Sequence, residues 1–205
     1  MPFTNRSLAA REAILSAARA RFTEQGYDRT TIRQVATDAN IDPSMVMRYY
    51  GSKDGLFAAA VDVDLKLPEL GAIPREEVGG VLANHFVTMW RNDRNGPLSI
   101  LLRSAVTHEE AAERLRAVFA DQVTVMVRRL LGDGAEAELR AGLLSTHLLG
   151  IALTRFILAL PPVASLDDED LVAITAEYVD RVLNGPLPVG TAASGGGREQ
   201  RVRRS

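Results

Sequence analysis

Apolar residues recur along this chain at three- and four-residue steps, and glycine, proline and Asx-Pro pairs break the steps at intervals. That pattern predicts helix almost throughout. A first helix is expected over about 8–24, where Ile14, Ala18 and Phe22 fall on one stripe with Leu15 beside them, and Gly26 closes it. A short second helix starts at Thr31, which stands three residues before Gln34 at capping-box spacing, and it buries Ile32, Val35 and Ala36. Asp42-Pro43 is the next start signal, an acceptor at the cap followed by proline in the first turn. That helix runs through Met45, Val46 and Tyr49 to Tyr50, with Tyr50 read as core. Gly51-Ser52 breaks the chain, and Ser52 caps a fourth helix over about 53–67. Pro68, Gly71 and Pro74 mark a connector. Five further helices are expected at roughly 75–92, 97–107, 109–131, 135–160 and 168–184, separated by Asn95-Gly96-Pro97, Gly132-Asp133-Gly134 and Pro161-Pro162. The expected fold is all-α, about nine helices: a three-helix head followed by a helical bundle.

Composition narrows the chemistry. There is no cysteine among the 205 residues, which excludes disulfides, thiol nucleophiles and cysteine zinc sites. The amino terminus has no apolar run of signal-peptide type, so a cytoplasmic protein is expected. Residues 1–54 carry a net charge of +2, residues 55–197 a net of −7 and the last eight residues +3. A mildly basic head on an acidic body suits a DNA-reading head joined to a domain with another partner. Three scattered histidines show no metal spacing, and no cofactor is expected. No glycine-rich phosphate loop, nucleophile elbow or paired His-carboxylate motif argues for an enzyme.

The second and third helices, joined by Asp38-Ala39-Asn40-Ile41, make the informative unit. A helix-turn-helix needs a small residue at the crossing, here Ala36, and apolar residues locking the pair, here Val35, Ile41 and Val46. The second helix must then present its outward, amino-terminal positions to base edges, with polar groups flanking for phosphates. Pro43, Ser44, Met47 and Arg48 fall on that outward face; Thr31, Tyr49 and Lys53 lie where the backbone would pass.

The stretch TTIRQVATDANIDPSMVMRYYGSKDGLF (30–57), with REAILSAARARFTEQGYDRTT before it, resembles the DNA-binding segment of the tetracycline-repressor (TetR) family. The resemblance covers about residues 8–60 and implies a homodimeric repressor acting on double-stranded DNA at a palindromic operator. By position, it implies that Thr31, Tyr49 and Lys53 contact phosphates and that Arg33, Ser44 and Arg48 reach bases. The chain departs from the pattern at Met47, where the family commonly has tyrosine, and at Ser44, which replaces a frequent glycine. Met47 cannot donate a hydrogen bond, so contact with a thymine methyl is the expected role.

Domains are accordingly expected at 1–54 (DNA-binding head, with the helix from 53 linking), 55–185 (ligand binding and dimerisation) and 186–205 (a disordered tail of low apolar content). The run Ala141–Ala164 holds one charge, Arg155, in 24 residues. A charged group there costs about 2.5–3.5 kcal/mol on insertion, and with the proline pair it argues against a membrane span. Burial against both the protomer core and a second subunit explains the run better. Gly142, Ser145, Thr146 and Gly150 allow close helix approach, and Leu171, Ile174, Tyr178 and Leu183 complete a four-helix dimer interface. A small apolar or amphipathic effector is expected between helices, with His85, Phe86, Met89, Trp90, Arg103, Phe119, Met126 and His147 as candidate lining. A regulator of the same fold that activates, or works without a ligand, and a helical enzyme or carrier remain open on the sequence.

Overall fold

A computed structural model describes residues 5–92 and 96–187, with side chains from Ser7 onward. The part of the expected tail from 188 to 205, and the break at 93–95, lie outside the described residues. The elements in chain order are α1 (Asn5–Arg29), α2 (Ile32–Asp38), α3 (Pro43–Tyr50), α4 (Lys53–Ala60), α5 (Val78–Asn92), α6 (Pro97–Ser104), α7 (Glu109–Val118), α8 (Val125–Leu131), α9 (Ala135–Ile151) and α10 (Asp168–Asn184). A π-helical segment, Phe119–Thr124, runs α7 directly into α8, so these ten segments make nine rods among the described residues. A second π-helical segment, Ala152–Ile157, prolongs α9. No strand occurs among the described residues.

The caps read from sequence at Thr31, Asp42 and Ser52 are in place. Thr31 Oγ1 accepts from the Gln34 N–H while the Gln34 side chain accepts from the Thr31 N–H, closing the box at the start of α2. Asp42 caps α3, Ser52 caps α4 and Asp167 caps α10. Helix α1 extends past the expected end, across a kink where Gly26 has φ 75°.

The clearest correction concerns helix four, expected to Leu67 and ending at Ala60. Residues 62–70 carry no helix. Their backbone groups are instead met by side chains from the body. Gln122 donates to the Val63 carbonyl and accepts from the Leu65 N–H, both at 2.8 Å, as a neighbouring strand would. His85 Nε2 bonds the Leu65 carbonyl at 2.8 Å. Leu65 and Leu70 are thereby pinned into the body core, a burial that a continued α4 would have to forgo.

Two apolar cores result. The head core is built on Ile14, Ala18 and Phe22 of α1, Val35 and Ala36 of α2, Val46 of α3, and Leu56, Phe57 and Ala60 of α4. Phe22 meets Phe57 edge-on at 5.0 Å between centroids, and Tyr27 meets Phe57 at 5.1 Å. Full burial of such side chains contributes about 1.5–3 kcal/mol each. The head core also takes in Ile100 and Leu101 of α6 and Ala111 of α7. His108, in the turn between those helices, stands edge-on to Tyr27 at 3.9 Å. Helix α6 is therefore two-faced: its Leu98 and Leu102 belong to the body core.

The body core gathers around Phe86, Trp90, Val127, Leu144 and Leu171, with Phe156 stacked on Trp90 at 5.7 Å. Helix α5 packs most extensively against α10, and Asp180 of α10 accepts from the Gly79 N–H in the first turn of α5. Arg140 is 7% exposed, chelates Glu136 and donates to the carbonyls of Val182 and Gly185 at the end of α10. All three nitrogens of its guanidinium are thus hydrogen-bonded, a condition that favours the burial of a charge.

Candidate DNA-reading surface and apolar cavity

The second and third helices meet as the sequence requires. Val35, Ala36 and Val46 have no exposed surface at all, and the Ile41 N–H bonds the Ala36 carbonyl at 2.9 Å across the turn, where Asn40 takes a φ of 52°. On the other side of α2, Asp38 accepts two hydrogen bonds from Arg21 of α1, at 2.5 and 2.8 Å. A rigid seam on one face leaves the opposite face of α3 free. Pro43, Ser44, Met47 and Arg48 are exposed, Met47 to 45%.

Ser44 is more constrained than its exposure suggests. Its N–H and hydroxyl both donate to Asp42 Oδ1, at 2.8 and 2.5 Å, and these bonds hold the Asp42 carboxyl below the usual range. With its proton committed, the hydroxyl offers outward lone pairs only. Thr31 and Arg33 are exposed on α2. Tyr49 is half-buried at the edge of α3, with the Arg11 guanidinium 4.9 Å and the Arg48 guanidinium 5.5 Å from its ring centre. Hydrogen bonds with Ser7 and Arg48, and the charges of Arg48 and Arg11, lower its phenol pKa. Lys53 donates to the Asp28 carbonyl at 3.1 Å and lies 4.2 Å over the Tyr27 ring. Ser7 and Arg11 escaped the reading of the sequence, because nothing in the pattern of α1 says which polar residues adjoin α3.

Within the body a cavity of about 60 Å³ is walled almost wholly by carbon and sulfur. Six of the eight candidate residues meet there: His85, Phe86, Met89 and Trp90 of α5, Phe119 of the π-helical segment and Met126 of α8. The other two do not. Arg103 is exposed on α6, where its neighbours Leu101 and Leu102 occupy the inward positions. His147 lies outside the cavity, stacked on Tyr178 of α10 at 3.4 Å between centroids. Leu65 and Leu67, from the non-helical segment, close one side of the cavity; they were assigned to a helix and so went unread as lining.

The face of α9 and α10 away from the core carries Leu139, Leu143 and Leu153 together with Ile174 and Tyr178, all at least 36% exposed. Gly142, Thr146 and Gly150 are exposed among them. Leu171 and Leu183, expected on the same face, are buried within the protomer. No helix among the described residues is long and apolar enough to cross a membrane.

Comparison with known proteins agrees with this geometry. The chain is 24% identical to the HTH-type transcriptional regulator BetI of Rhizobium meliloti (strain 1021), over 88% of this chain and 92% of BetI. A shorter match, 44% identical over 46 residues, links it to the HTH-type transcriptional regulator HbdR of Aromatoleum sp. (strain CIB), covering 22% of this chain and only 20% of HbdR. Among solved structures, a TetR-like transcriptional regulator from Rhodococcus sp. RHA1 superposes with a TM-score of 0.66 at 19% identity, over 90% of this chain and all of that one. SmeT, solved as a complex with triclosan, superposes with a TM-score of 0.63 at 22% identity, over 89% of this chain and 99% of its own. The family model for bacterial regulatory proteins of the tetR family matches residues 14–60, and that for the tetracyclin repressor-like C-terminal domain matches residues 76–183. The two models cover the head from Ile14 of α1 to the end of α4 and most of the body, and the chain belongs to the TetR family of DNA-binding transcriptional regulators.

Proposed function

We propose that this regulator is a cytoplasmic, non-enzymatic, homodimeric repressor that occupies a palindromic operator and leaves it when a small apolar or amphipathic molecule enters the body. The observation that carries the reading is the union, in one protomer, of an exposed α3 face on a rigid seam with an apolar cavity closed by the segment leading out of α4. In this reading residues 1–54 form the DNA-binding unit and 55–185 the effector and dimer unit. Arg33, Ser44 and Arg48 read base edges, Pro43 and Met47 pack on thymine methyls, and Thr31, Tyr49 and Lys53 hold phosphates. Lys53 does so by exchanging its carbonyl partner for a phosphate.

The size of the cavity bears on mechanism. A benzene-sized guest needs a space of about 150 Å³, so a cavity of about 60 Å³ must open to admit even that. The triclosan complex of SmeT shows that a protein of this fold holds a small aromatic compound. Opening displaces a wall, and two walls lead to the head: the 62–70 segment, continuous with α4, and α6, with Leu98 on the cavity and Ile100 and Leu101 in the head core. A preference of about 1–3 kcal/mol for the opened body would suffice for a switch, and DNA would weaken the effector by the same factor.

Selection of bound duplexes from a random pool, followed by footprinting on genomic DNA, tests the first half. A palindrome with half-sites centred about 34–36 Å apart is the expected result. A screen of lipophilic compounds for release of that duplex tests the second. A protein that enriches no duplex sinks the whole reading; a firm complex that no compound releases sinks the effector half and favours a ligand-independent regulator.

A further inference from the structure

The apolar cavity has a polar neighbour. A groove of about 510 Å³ lies outside it, between residues 62–66, α5 and the start of α6. Four side chains line both spaces: Leu65, His85, Met89 and Leu98. A single layer of side chains therefore separates the two. Beyond that layer the groove presents Asp62, Asp64, Lys66, Thr88 and Asn92, all exposed. The layer can part: at Leu65 its backbone is held by side-chain bonds from Gln122 and His85 rather than by a helix, and Met89 turns about three side-chain bonds. The cavity alone is too small for a benzene-sized guest, which needs about 150 Å³. Cavity and groove joined fall within the range of roughly 300–1,000 Å³ that small-molecule sites occupy. The groove's chemistry selects the outer end of a guest. Carboxylates only accept hydrogen bonds, and those of Asp62 and Asp64 outnumber the Lys66 ammonium among the described groove residues. His85 acts in the same sense: a carbonyl accepts only, so Nε2 carries its proton toward Leu65, and in the neutral ring Nδ1 is an acceptor. Resting on the effector half of the reading above, we propose that cavity and groove are two ends of one effector site. It takes an elongated amphiphile whose apolar end enters the cavity and whose hydrogen-bond-donating head, an ammonium or a hydroxyl, stays in the groove.

Trp90, the only tryptophan of the chain, lines the cavity and not the groove, so quenching of its emission by a bromine reports entry of a guest's apolar end. The probes are butylamine, butanol and butanoate, each carrying a para-bromophenyl group at the far end, titrated at neutral pH into the full-length protein without DNA. The amine and the alcohol should quench Trp90 saturably, and the tighter of the two names the head. The butanoate should need at least about tenfold more, since its carboxylate meets others of the same charge. The double variant Asp62→Asn, Asp64→Asn should bring amine and butanoate to within about threefold of each other. Thr88→Phe, at an exposed position on the groove and not on the cavity, should weaken amine and alcohol at least about tenfold. Emission that neither probe moves, or quenching that Thr88→Phe leaves intact, overturns the joined site. A butanoate as tight as the amine overturns the donor head. A lipophilic compound that releases a selected operator duplex without competing with the bromophenyl probes keeps the effector reading and sinks this site. Saturable quenching beside a duplex that no compound releases does the reverse.

Discussion

Gly55 sits where no other residue fits. A Cβ built there would overlap the carbonyl oxygen of Tyr50, at the end of α3, and a backbone atom cannot swing aside as a side chain can. The third residue of α4 is thus in contact with the last turn of the proposed reading helix. Gly55→Ala should cost about 1–3 kcal/mol of stability, the usual range for overpacking, and should weaken operator binding further by tilting α3. Denaturant titration and a binding isotherm check both; unchanged stability would refute the close approach. His147 offers a test by pH. Its Nε2 is buried without a hydrogen-bond partner among the described residues, and burial lowers its pKa below the usual value of about 6.5. The unfolded chain therefore takes up the proton first, so stability is complete above about pH 6.5 and is lost as pH falls through that value toward the lower folded pKa. His147→Phe keeps a ring against Tyr178 without the titration. Between pH 7.5 and 5.5 the parent should lose more stability than the variant, as urea midpoints would show; parallel losses would mean that His147 is not the group responsible.

At the scale of elements, legibility followed how local the determining contacts are. The helix-turn-helix could be read because its caps, its crossing residue and its seam lie within about twenty residues, from Thr31 to Tyr50. The 62–70 segment could not be read in the same way, since its partners Gln122 and His85 come from distant helices. A signal was nevertheless present: Val61, Val63, Leu65 and Leu67 alternate with Asp62, Asp64 and Lys66, the two-residue period of extended chain. Candidate lining on α5 came together because Phe86, Met89 and Trp90 share a helical stripe, whereas the side of α6 taken by Arg103 was undetermined when four residues around it, Leu98, Ile100, Leu101 and Leu102, are all buried. The same segment gives a prediction at its own scale. Gln122→Leu preserves volume and removes both bonds to Val63 and Leu65. Amide exchange over 62–70 should then rise at least about tenfold, the equivalent of roughly 1.4 kcal/mol of local protection, while α2 and α3 exchange as before. Equal rates in parent and variant would show that the leucines alone hold the segment down.

For the whole molecule, the proposed dimer assigns to the face of α9 and α10 the task of presenting two heads together. Its threonine hydroxyls are satisfied on their own helix: Thr146 donates to the Gly142 carbonyl at 2.9 Å and Thr154 to the Gly150 carbonyl at 2.8 Å. With glycines between exposed leucines, a partner helix can approach to about 8–10 Å between axes. Two subunits so joined hold their α3 helices at a fixed separation, and the second half-site is then bound from an effective concentration near the millimolar range rather than from bulk solution. Ile174, 52% exposed and outside the head, is the place to break this. Ile174→Glu puts a carboxylate and its symmetry mate into the same apolar contact. The variant should sediment as a folded monomer of half the parental mass and bind a full operator at least a hundredfold more weakly, while its affinity for a single half-site stays unchanged. Should it sediment as the parent does, the two-fold contact lies elsewhere on the molecule, and the spacing of the two reading helices has to be sought from another face.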